Sequence, residues 1–124
     1  MPEVVSLIEA ADKLSDYWSP HVVGSVDDSY VKVAKVKGSL TWHSHELEDE
    51  LFLVLKGRLR IELEDRAVEL KEGDMFVVPK GVRHNPVADE ECHILLFERK
   101  STAHTGDVVI ERTRSVAEQL KETS

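Results

Sequence analysis

One stretch constrains the fold of this chain more than any other. Arg58-Leu59-Arg60-Ile61-Glu62-Leu63-Glu64 alternates without a fault, with Leu59, Ile61 and Leu63 on one side and charge on the other. That is the period of a half-buried β-strand, whose successive side chains point to opposite faces. A helix would scatter the same three apolar groups around its axis. The period recurs on either side. His21–Val26 and Tyr30–Val36 read as strands joined by the turn Asp27-Asp28-Ser29, and Gly38-Ser39 separates the second from Leu40-Thr41-Trp42. Leu51–Leu55 is a continuous apolar run, the pattern of a strand buried on both faces, and Lys56-Gly57 turns it into the alternating strand. Ala67–Leu70, Met75–Val78 and Cys92–Glu98 follow. In the last, Cys92, Ile94 and Leu96 share one face, and His93, Leu95 and Phe97 the other. Roughly eight short strands, with turns about every 8–12 residues, predict an all-β sandwich or barrel.

The flanks read differently. Val4, Leu7, Ile8, Ala11 and Leu14 recur at spacings of three and four, a helical stripe that Ser19-Pro20 ends. Ser115-Val116-Ala117-Glu118 is a capping box that would start a short second helix. The expected organisation is a helical segment over 1–19, a barrel over 20–110, and a short helix and tail over 111–124. A chain of 124 residues is one domain's worth and needs no disulfide to fold. Cys92 is its lone cysteine, and no leader or long apolar run is visible, so a reducing cytoplasm is the expected setting. With 16 basic and 24 acidic residues the formal charge is -8. An acidic surface repels phosphate backbones and anionic headgroups, so neither nucleic acid nor membrane is an expected partner.

Against that background stand six histidines. His43 and His45 are two residues apart, which on a strand puts both imidazoles on one face. Glu50 lies at an odd offset from His45, so it converges with them only if the chain turns through Glu46-Leu47-Glu48-Asp49. Glu48 and Asp49 are rival carboxylates, and Glu46 points away by alternation. His84 follows the turn Pro79-Lys80-Gly81 and could return from another strand. Three imidazoles and a carboxylate would suit a divalent transition metal. The bland alternative is surface histidine on an exposed edge. His93 shares a face with Leu95 and Phe97, as a packed histidine does; were that face the interior, it could shuttle protons beside the site. His104 reads as a loop residue, His21 as surface, and Trp42 as packed outside the barrel or at a subunit interface. Lys80 and Arg83 flank His84 and could meet an anion.

Two stretches carry a family resemblance. Gly38-Ser-Leu-Thr-Trp-His43-Ser-His45-Glu-Leu-Glu-Asp-Glu50-Leu-Phe-Leu-Val-Leu-Lys-Gly57 resembles the first cupin motif, and Gly73-Asp-Met-Phe-Val-Val-Pro79-Lys-Gly81-Val-Arg-His84 resembles the second. Two departures exist. Four residues rather than the usual five separate Gly38 from His43, and Ala88 stands where the family has asparagine. The resemblance implies a single-domain cupin jelly roll (a double-stranded β-helix barrel) with short terminal helices. It also implies His43, His45, Glu50 and His84 as ligands of one divalent ion such as iron, manganese, nickel or zinc, and it prefers Glu50 over Glu48 and Asp49. Fold does not give function. The expected function is a small metal-dependent enzyme, dioxygenase- or isomerase-like, acting on a small oxygen-rich metabolite, with Glu50 and His93 as possible catalytic groups. The alternatives are a non-catalytic small-molecule or sugar-binding or sensing cupin, and a cupin whose metal is purely structural. The resemblance further implies a homodimer, with the N-terminal segment and its Tyr17 and Trp18 covering a sheet.

Overall fold

The computed structural model of the chain describes residues 3–102, 106 and 115–120. Its elements are α1 (Leu7–Asp12), β1 (His21–Val26), β2 (Ser29–Ser39), β3 (Glu50–Lys56), β4 (Arg58–Leu63), β5 (Ala67–Lys71), β6 (Met75–Val78), β7 (His84–Arg99) and α2 (Val116–Gln119). The alternating stretch is β4, with Leu59 and Ile61 buried and Arg58 exposed. All strand pairings are antiparallel, in the order β1-β2-β7-β3-β6, with β4 joining β5 and β7. β7 belongs to both layers. His84–Val87 pairs with β4, and the rest runs between β2 and β3. The two layers close a small jelly-roll barrel.

The interior follows from period two. Ala34, Val36, Phe52, Val54, Leu59, Ile61, Cys92, Ile94 and Leu96 form one buried core. Burying each large aliphatic side chain contributes about 1.5–3 kcal/mol. Gly57 turns β3 into β4 at a φ of +88°, and a Cβ there would sit 3.0 Å from the Glu91 carbonyl oxygen. Only glycine meets both demands.

Several expectations change. β7 starts at His84, eight residues before the expected strand, because the segment after the Pro79 turn pairs with β4. β3 is buried on one face only: Phe52 and Val54 are buried, whereas Leu51, Leu53 and Leu55 are half-buried. The N-terminal helix is shorter than its stripe. Ser6 caps it, Ala11 and Leu14 pack on Val33, and Val4 and Ile8 stay exposed. The capping box forms as read: the Ser115 amide donates to Glu118 Oε1 at 3.0 Å, and the Glu118 amide to Ser115 Oγ at 3.2 Å. The expected boundary between barrel and tail, near 110, falls outside the described residues, as does His104. Among the described residues no helix is long and apolar enough to cross a membrane.

Candidate metal centre

His43 and His45 do not lie on a strand. They sit in the connection between β2 and β3, and the site is built where that connection meets the start of β7. The His43 amide donates to the His84 carbonyl at 3.0 Å and the His84 amide returns the bond at 2.9 Å. The Gly81 amide donates to the His45 carbonyl at 2.8 Å. Two segments distant in sequence are thus clamped as a one-bridge antiparallel pair. Glu50 opens β3 after the polar turn, with its side chain on the interior face beside Phe52. Gly106 closes over this connection: a Cβ there would lie 2.0 Å from the Ser44 carbonyl oxygen and 3.2 Å from His43 Cδ2.

His43, His45, Glu50 and His84 are all buried, and each offers a donor atom within 4.8 Å of the others. Glu50 Oε1 is 3.4 Å from His45 Nε2 and 3.5 Å from His84 Nε2. The rival carboxylates turn elsewhere. Glu48 accepts from Ser101, Asp49 from the Lys80 amide, and Glu46 from Ser44.

The hydrogen bonds decide which imidazole nitrogen faces inward. His43 Nδ1 lies 2.9 Å from the Thr41 carbonyl oxygen, and His84 Nδ1 lies 3.0 Å from the Val82 carbonyl oxygen. A carbonyl only accepts, so each Nδ1 carries the proton and each Nε2 turns a lone pair inward. His84 Nε2 is buried and makes no hydrogen bond. Burial, reinforced by the neighbouring His84, lowers the His43 pKa to about 4, so that ring is neutral at pH 7. Burial alone would raise the Glu50 carboxyl, but its polar neighbours Glu98, His45 and His84 hold it well below the usual range. Three imidazoles converging on an ionised carboxylate, with the Nε2 atoms of His43 and His84 turned inward, fit a divalent transition metal. The carbonyl-bonded second nitrogen is the usual support of such ligands.

A second buried cluster adjoins the first. Glu98 is the direct register partner of Glu50 on β7. Its Oε1 lies 2.7 Å from Lys32 Nζ, and Lys32 also donates to Gln119 on α2. Lys32, Glu98 and Gln119 are each at most 3% exposed. Burial, and then the facing Glu50, push the Glu98 carboxyl well above its usual range.

Sequence reading missed both partners, although a signal was present. Glu98 continues the Cys92-Ile94-Leu96 face, and Lys32 shares a face with Ala34 and Val36. Trp18 was also missed as a site neighbour. It is 3% exposed, adopts a left-handed φ of 58°, and donates through Nε1 to the Lys37 carbonyl at 2.7 Å. With Leu40, Phe52 and Ile94 it bounds a cavity of about 20 Å³ that reaches His43 and Glu50.

The other histidines stand apart. His93 is buried on the face of β7 opposite Cys92 and Ile94, where its Nε2 pairs with Glu91 at 2.9 Å. Glu91 in turn accepts from Tyr17. The interior face is the other one, so His93 does not join the ligand group. His21 and Trp42 are half-buried, and Lys80 and Arg83 are exposed.

Comparison with known proteins agrees with this geometry. A family model described as the cupin domain matches residues 29–98. An uncharacterized Bacillus subtilis protein, YdbB, is 33% identical over 85 residues, covering 68% of this chain and 75% of that one. A solved cupin-2 domain protein from Shewanella frigidimarina superposes with a TM-score of 0.76 at 38% identity, covering 77% of this chain and 94% of that one. A 3-hydroxyanthranilate 3,4-dioxygenase from Burkholderia cenocepacia is 35% identical over 92 residues, covering 64% of this chain and 51% of that protein. The chain thus spans about half the length of the dioxygenase it matches.

Proposed function

This chain belongs to the cupin family, and on that premise we propose that it is a small metal-dependent enzyme with dioxygenase-like chemistry on a small oxygen-bearing metabolite. The observation that carries this reading is the convergence of His43, His45, Glu50 and His84, with the Nδ1 protons of His43 and His84 held on backbone carbonyls. Those four residues would hold the ion. When bound, a divalent transition metal supplies Lewis acidity and, in the case of iron or manganese, oxygen chemistry. Similarity to a named dioxygenase supports that direction over isomerisation.

The chain's own residues do the rest. The Thr41 and Val82 carbonyls keep the two rings in one tautomer. Trp18, Leu40, Phe52 and Ile94 exclude bulk water from the approach. The cavity has room for one water-sized group, such as the oxygen end of a substrate. None of its described lining residues is a lysine or arginine, and Lys80 and Arg83 are exposed, which disfavours a phosphorylated substrate. Glu50 lines the cavity beside His43 and is the carboxylate placed to accept a hydrogen bond from a substrate hydroxyl.

Metal analysis of the tag-free protein and of His84→Ala tests the reading. One divalent ion per chain that is lost in the variant is the expected result, together with turnover lost in His45→Ala. Equal, trace metal in both proteins would overturn it. A ligand that stabilises the protein and is recovered unchanged would replace catalysis by binding.

A homodimer is proposed with it. Met75, Val77, Phe97 and Leu47 are exposed, and the registers Leu53↔Met75, Leu51↔Val77 and Leu51↔Phe97 place the first three on one outer sheet face. A second copy would cover it, and sedimentation showing only a 14.0 kDa species would remove the proposal.

A further inference from the structure

Glu50 is a flexible side chain in a largely apolar interior, yet its carboxylate is aimed at two histidines. Phe52 and Leu96 beside it offer no hydrogen bond to set that aim. What faces it across the β3–β7 register is Glu98. Direct partners on one sheet face bring their Cβ atoms to about 4.5–5.5 Å, within reach of each other's carboxyl groups. Glu98 is anchored by Lys32 at 2.7 Å, and Lys32 by Gln119. The chain of contacts therefore runs from α2 to the candidate ligand, entirely among buried groups. A buried lysine–carboxyl pair is a poor way to gain stability, because apolar residues of similar volume serve as well or better. Its presence on a face otherwise carrying Ala34, Val36, Ile94 and Leu96 calls for another purpose.

We propose that Lys32 and Glu98 are positioning residues for Glu50, and that Gln119 of α2 completes the support, so that docking of the C-terminal helix bears on the metal affinity of the barrel. The inference rests on the metal-centre reading above. It concerns what orients the carboxylate rather than what the site does.

The test separates stability from positioning. Co²⁺ alone is the probe, titrated into the full-length, chelator-treated protein and followed by its visible absorption. In Lys32→Met/Glu98→Leu an apolar pair replaces the polar one. The expected result is a urea midpoint at or above that of the original chain, with Co²⁺ affinity about 10–100-fold weaker and an altered spectrum. Gln119→Ala should weaken binding in the same direction by less. Unchanged affinity and spectrum in a folded double variant would overturn the proposal, since a merely structural pair moves neither. Should the double variant not fold, Lys32→Met alone decides by the same two readouts. His84→Ala is the control: if it binds Co²⁺ as well as the original chain does, both this inference and the metal-centre reading fall. If it loses Co²⁺ and the double variant does not, this inference alone falls.

Discussion

Two buried polar clusters meet at Glu50, and they are built on opposite rules. On one side His43 and His84 spend their Nδ1 protons on backbone carbonyls and turn a lone pair inward, where His84 Nε2 finds no hydrogen bond. On the other side Lys32 is held by Glu98 and Gln119, with the Tyr30 ring 5.9 Å from its Nζ. Buried polar groups are ordinarily satisfied, so a convergent set with an open acceptor marks a place for a ligand. A set whose members anchor one another marks support. The contrast shows how one barrel interior holds a site and its scaffold in adjoining positions.

The contrast can be broken from the Lys32 side with the largest effect. Glu98→Ala would leave the Lys32 ammonium buried with Gln119 and the Tyr30 ring to face but no carboxyl. A loss of about 3–5 kcal/mol in urea unfolding is expected, as for any buried pair deprived of one partner. A loss under about 1 kcal/mol would mean that Lys32 escapes to solvent, and the pair would then not be a buried anchor.

The histidine side responds to pH. The His43 pKa is lowered in the folded state, from 6.5 to about 4, so between those values the unfolded chain binds more protons. Stability from this group is therefore intact above about pH 6.5 and falls as pH drops toward 4. In the metal-free protein the loss from His43 amounts to about 3 kcal/mol. Urea midpoints measured across that window, against His43→Phe, would show it as a flatter profile in the variant. Identical slopes would mean that the ring is not held neutral by burial.

The smallest effect sharpens the link between the tail and the scaffold. Ser115→Ala removes half of the capping box on the helix that carries Gln119. A loss of about 0.5–1 kcal/mol in thermal or urea unfolding is expected, with faster amide exchange at Gln119. No change in exchange there would uncouple α2 from the Lys32 end.

Much of this was legible in residue order. β4 and the grouping of Cys92, Ile94 and Leu96 on one face of β7 follow from alternation alone, and the capping box from four residues. The four converging residues were named from two motif stretches, and the structure does bring their donor atoms together. The means differed from expectation. No strand presents His43 and His45, and a backbone clamp to His84 and Gly81 does so instead. His93 fell on the outer face because alternation says which residues share a side but not which side is in. Glu98 and Lys32 each broke an apolar face, a visible signal whose meaning depended on what stood opposite.

By itself, then, the sequence determined the strands, the turns and which donors were available, since those depend on neighbours along the chain. The tertiary structure alone decided that Glu50 faces Glu98, that Trp18 returns to wall the cavity, and that Gln119 closes on Lys32. Those pairings are set by strand register and by the packing of distant segments. A register shift of one residue would turn every such side chain to the other face.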